Sequence, residues 1–103
     1  MSIAEKQLRA DFESYLAGDQ PQQDELARAP VLDGWEAAVS IQPNGERCYV
    51  ICGDVYGHPH KRDGERVTTS PVVWIDRDYQ WCRTRSRLYR LDGRIVPLDG
   101  ASF

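Results

Sequence analysis

Leu8, Phe12, Tyr15 and Leu16 recur at three- and four-residue intervals, the period of a helix with one apolar stripe, while Lys6, Arg9, Asp11 and Glu13 fall off that stripe. Ser2 followed by Glu5 has the spacing of a capping box, so a first helix is predicted over Ile3 to Ala17. Gly18 suits the left-handed exit of such a helix, and Asp19-Gln20-Pro21 does not continue it. A short second helix is predicted from Gln22 to Arg28. Pro30 stops it, because the residue before a proline is biased away from the helical region.

After Asp33-Gly34 the period becomes two. Trp35, Ala37, Val39 and Ile41 point one way and Glu36, Ala38, Ser40 and Gln42 the other, which predicts a strand with one buried face. Asn44-Gly45 is a strong hairpin signal, and the return strand is predicted from Arg47 to Tyr56. Asp63-Gly64 marks the next connection. Arg66 to Ile75 then reads as a strand rich in Val, Thr and Trp, at an edge or bulged where Pro71 lacks a donor. A last pair is predicted over Gln80 to Leu91 and Arg94 to Leu98, joined through Asp92-Gly93. Five strands after two helices predict an α+β class in one domain, 1–103. A helical segment, 1–30, precedes an antiparallel segment, 35–98, curled strongly or closed into a small SH3-like or OB-like barrel. The helices are expected to cover one face or an open edge.

With 103 residues the chain is long enough for a single core without staples. Cys48, Cys52 and Cys82 are an odd number without C-x-x-C spacing, which points to a reducing, cytoplasmic setting. No apolar run approaches the roughly 18 residues of a spanning helix, and no secretory leader is expected. The net charge of -3 is unevenly spread: residues 1–46 hold nine acids against three bases, residues 47–103 seven acids against ten bases. The two halves are thus expected to attract each other within one fold, or to meet different partners.

His58, His60 and the cysteines are zinc-type ligands, but Cys48 and Cys52 on one strand would stand roughly 13 Å apart at about 3.3 Å per residue, so no metal or cofactor is expected. His58 and His60, with Asp63, read instead as residues of a turn. Ser70, His58 and Asp54 or Asp63 supply triad residue types without a nucleophile elbow, and no phosphate-binding glycine loop occurs; no catalytic residue is assigned. A different constellation is Trp81, Arg83, Arg85, Arg87 and Tyr89, which share one face if their strand stays regular. Such a stripe would suit RNA or single-stranded DNA, with guanidinium forks on phosphates and rings stacked on bases. The structural reading beside it pairs these arginines with the acidic first half; a bulge near Ser86 would break the stripe.

Gly53-x-Val55-x-Gly57-His58-Pro59, then Asp63-Gly64, Thr69-Ser70-Pro71-Val72 and Arg83-Thr84-x-Ser86-x-x-Tyr89-x-Leu91, resembles a domain-of-unknown-function family of small proteins from bacteriophages and mobile elements. The likeness covers residues 53–91 and implies a small β-rich fold without an established active site. Residues 1–30 lie outside it, as a lineage-specific, partner-binding addition would. That context implies a protein that occupies a surface on a host protein or ribonucleoprotein complex. The specific expectation is an anti-CRISPR-like inhibitor whose acidic residues, Asp11, Glu13, Asp19, Asp24 and Glu25, stand in for phosphates. The alternative is a small nucleic-acid-binding module using the arginine stripe.

Overall fold

The structure, a computed structural model, describes residues 2–93. Helix α1 spans Ile3–Leu16, with the Ser2 hydroxyl accepting the Glu5 amide at 3.1 Å, and Gly18 leaves it at φ +97°. This is the start and stop that the sequence signals. Helix α2 spans Gln23–Arg28 and ends before Pro30.

Six strands follow: β1 Val31–Ile41, β2 Arg47–Tyr56, β3 Glu65–Thr68, β4 Val72–Ile75, β5 Trp81–Thr84 and β6 Leu88–Asp92. They form one sheet in the order β3-β2-β1-β6-β5-β4. The sheet is mixed and not closed, which corrects the expected five-stranded antiparallel sheet or barrel. Two breaks account for it. The run Arg66 to Ile75 divides at Thr69-Ser70-Pro71, and the run Gln80 to Leu91 folds back through a two-residue turn at Arg85-Ser86. Because β3 runs on into β4 without a hairpin, the chain reverses four times between β1 and β6. An even number of reversals leaves those two strands parallel, paired from Val31 with Arg90 to Asp33 with Asp92. The predicted strand Arg94 to Leu98 lies outside the described residues.

The curl places one core inside the sheet and another beneath the helices. Leu32, Trp35, Ile51, Val55, Cys82, Tyr89 and Leu91 fill the first. Tyr15, Ala29, Trp81 and Leu88, with Leu26 and Trp74, form the second, which fixes the helices to the outer side of β4, β5 and β6. The Tyr15 ring lies 5.0 Å from Trp81, and Phe12 meets Trp74 edge-on at 5.9 Å; such pairs contribute about 0.5–1.5 kcal/mol each beyond the area they bury. A bulge at Gly34-Trp35 shifts the β1–β2 register between Asp33 and Glu36, so that Leu32 and Trp35 both face the inner core. Gly53 stands opposite that bulge. A Cβ there would lie 3.2 Å from the Asp33 carbonyl and 3.3 Å from the Trp35 Cβ, so the close approach depends on glycine.

Candidate interaction surface

Strands β1 and β2 are 11 and 10 residues long, whereas their outer neighbours are four and five. Strand β6 pairs with β1 only to Asp33, and β3 pairs with β2 only from Cys52. Beyond those points, among the described residues, Ala37–Ile41 and Arg47–Val50 pair only with each other and project as a two-stranded arm. Its turn is the expected one: Gly45 sits at φ +85°, and the Asn44 side chain accepts the Glu46 amide.

The ladder sets Ala37 opposite Ile51, Val39 opposite Tyr49 and Ile41 opposite Arg47. These six alternate positions share one face. Trp35, at the root of β1, is buried as the alternation predicts, but the face beyond it is not. Val39, Ile41 and Tyr49 are 57, 70 and 65% exposed. The expectation of a strand with one buried face is corrected here: the sheet ends before it covers the arm. Toward the root the face opens into an apolar groove of about 390 Å³, between Ala37, Tyr49 and Ile51 on one side and Val72, Val73 and Ile75 on the other. Trp35 and Tyr79, their rings 5.9 Å apart, line it as well. On the opposite face Glu36 pairs with Arg66 at 3.3 Å, next to Ala38 and the buried Val50. A contiguous exposed apolar surface is how protein–protein contact sites differ from ordinary surface.

The acidic residues do not form a single patch. Asp11, Asp19 and Glu25 surround a depression of about 320 Å³ over Tyr15, whose phenol is pushed up chiefly by burial and then by Asp11. Asp11 is committed to Arg83 at 3.4 Å, Asp24 pairs with Arg28 at 3.6 Å, and Asp19 accepts the Ser14 hydroxyl. Glu13 is exposed on α1 away from that depression. Val73, the bulged residue of β4, lines both the apolar groove and a shallow hollow with Leu8 and Phe12, so the arm's surface and the helical layer meet at this edge.

The arginine stripe is dismantled. Trp81 and Arg83 face the helices, where Trp81 is buried and Arg83 holds Asp11. Arg85 lies in the turn and lines a hollow together with Ala4, Glu5 and Leu8 of α1. Tyr89, beyond the turn, is buried in the inner core. Only Arg87 reaches the histidine turn, where its charge, after burial itself, lowers the His58 pKa. The turn that breaks the stripe carries no glycine. Thr84 Oγ1 donates to the Arg87 carbonyl at 3.0 Å and accepts the amides of Ser86 and Arg87, and Ser70 Oγ accepts the Ser86 amide.

In the β2–β3 connection, Asp63 accepts the Gly57 amide at 2.9 Å and His58 Nδ1 accepts the His60 amide at 2.9 Å, as turn residues do. The His58 ring stacks on Tyr89 at 6.3 Å. Among the described residues no three His, Cys, Asp or Glu side chains are grouped to hold a metal ion. None of the described helices is long and apolar enough to cross a membrane.

The surface that sequence reasoning missed is therefore Val39, Ile41, Tyr49 and the groove wall of Val72, Val73 and Ile75. Its signal was present in the alternation of β1. What the alternation does not encode is whether anything lies over it.

Fold and surface together define a small α+β protein with a curled mixed sheet and an uncovered apolar arm. The chain belongs to a family of unknown function, DUF6634, whose match runs over residues 3–101. That span includes both helices, which corrects their reading as an addition outside the family. No curated protein and no solved structure matches the chain.

Proposed function

We propose that this protein works by protein–protein contact rather than by turnover, with the apolar face of the arm as its principal binding surface. One observation carries this reading: Val39, Ile41 and Tyr49 stand exposed on one face and run without interruption into the groove. Full burial of a large apolar side chain is worth about 1.5–3 kcal/mol, so three adjacent ones supply a strong anchor. In the narrower reading, a phage-type protein in the cytoplasm blocks a host complex that handles nucleic acid, as an anti-CRISPR inhibitor blocks a defence ribonucleoprotein. The charge of the helical segment supports it, since Glu13 on α1, Asp19 in the α1–α2 connection and Glu25 on α2 make no ion pair among the described residues and remain available to a cationic groove.

Tagged capture from host extract, with and without nuclease, tests both levels. Retention of a protein that survives nuclease and is lost with Val39→Glu or Tyr49→Ser is expected. Capture that depends on nucleic acid would replace this reading with the nucleic-acid module.

A further inference from the structure

The junction of α1 and α2 holds the depression of about 320 Å³ over Tyr15. Asp11 stands one turn before Tyr15 on α1, Asp19 lies in the connection, and Glu25 completes the wall from α2. The connection is tied down. The Asp19 amide donates to the Ser14 carbonyl at 3.0 Å, and the Ser14 hydroxyl donates to the Asp19 carboxylate at 2.9 Å. Tyr15 is fixed as well, its ring 5.0 Å from Trp81 and 6.1 Å from Trp74.

The informative atom is the hydroxyl oxygen of Tyr15. The residue is only 7% exposed, yet this hydroxyl makes no hydrogen bond to any described residue, whereas a buried phenol ordinarily has a partner. It faces the depression: after burial, the charge of Asp11 and then that of Glu25 raise its pKa, with Arg83 opposing. The hydroxyl therefore stands near two carboxylates without bonding to either, a gap that a group donating to both kinds of acceptor would fill.

We infer that the depression binds a guanidinium group, which donates N–H bonds to the Tyr15 hydroxyl oxygen and to the carboxylates of Glu25 and Asp19. Asp11 is already held by Arg83 and no base lines the depression, so Glu25 and Asp19 carry its uncompensated charge. A small metal ion does not suit it, because among the described residues no three acidic, histidine or cysteine side chains are grouped to hold one. Acceptors spread over α1, the connection and α2 call for donors that diverge from one flat group. Guanidinium carries five in a rigid fork, whereas an ammonium is a compact point charge. The site is separate from the arm, since the depression and the apolar groove share no lining residue. An arginine side chain of another protein and a free guanidinium compound present the same group.

Nuclear magnetic resonance titration of the full chain at fixed ionic strength, with ethylguanidinium and with propylammonium, tests this. Saturable shifts at the amides of Tyr15, Asp19 and Glu25 are expected for ethylguanidinium, with propylammonium at least about fivefold weaker. Tyr15→Phe and Glu25→Gln should each weaken guanidinium binding about fivefold or more, while Glu13→Gln, away from the depression, and Tyr49→Ser, on the arm, leave it unchanged. Tyr15→Phe removes a hydroxyl that no described residue needs, so thermal unfolding should not fall. Pentaglycine amides with a central arginine or lysine identify the source: tighter binding of the arginine peptide than of ethylguanidinium assigns the site to a protein side chain, and the reverse assigns it to a small molecule. No saturable shift up to about 20 mM, equal response to both cations, or indifference to Tyr15→Phe and Glu25→Gln would overturn the inference. So would an equal loss in Glu13→Gln, which would reduce the effect to diffuse surface charge.

Discussion

Asp11 of α1 and Arg83 of β5 form an ion pair at 3.4 Å, with side chains only 26 and 16% exposed. It joins the acidic first half of the chain to the basic second half, and it removes from the surface an arginine that a nucleic-acid stripe would need. A partly buried pair couples more strongly than an exposed one. A double-mutant cycle of Asp11→Ala and Arg83→Ala, read by denaturant unfolding, should give a coupling of about 1 kcal/mol that falls little with added salt. No coupling would mean that the helix is held by its aromatic contacts alone.

The turn at Arg85-Ser86 depends on one buried hydroxyl. Thr84→Val keeps the side chain's shape but removes its bond to the Arg87 carbonyl and leaves the Arg87 amide unpaired, while Ser86 keeps its bond to Ser70. The expected loss is about 2 kcal/mol in denaturant unfolding, with Thr84→Ser milder. Equal stability of Thr84→Val and wild type would assign the turn to its backbone.

These two contacts show what the sequence discloses and what it does not. Ser2, Gly18 and Asn44-Gly45 act within a few residues of themselves, so both ends of α1 and the β1–β2 hairpin are readable directly. The turn at Arg85-Ser86 is built from Thr84 and from Ser70, 16 residues away, and no local glycine or asparagine announces it. Missing that turn merged β5 with β6, carried Trp81, Arg83 and Tyr89 onto one imagined face, and hid the parallel pairing of β1 with β6. The arm is a different case. Its apolar alternation is plain, but burial depends on how far the neighbouring strands extend, and strand length at the sheet's edge is a property of the whole fold.

His58 gives the fold a pH dependence. Burial first, and then the charges of Arg87, His60 and Lys61, hold its pKa below the usual 6.5, with Glu65 opposing. The folded state therefore binds fewer protons than the unfolded state in that range. Stability should be full above pH 6.5 and decline as the pH falls through 6.5 toward the lower folded value. His58→Phe keeps a ring on Tyr89 and should flatten that decline. An unchanged slope in the variant would place the dependence elsewhere.

Burial also separates the three thiols. Cys82 is fully buried, and its thiol is pushed up to about 12, whereas Cys48 and Cys52 are partly accessible. In the native protein at neutral pH, two thiols should react with a small disulfide reagent and the third only on unfolding. Three equally fast thiols would contradict the inner core described for β5.

Crosslinking in the cell reads the contact made by the arm most directly. A photoreactive residue at Tyr49 and, in a separate variant, at Glu13 reports which surface touches protein. An adduct with protein, whether a second copy or another chain, from position 49 is predicted in greater yield than from position 13. Adducts from position 13 alone would contradict the apolar face as the principal contact and move the binding surface to the helices.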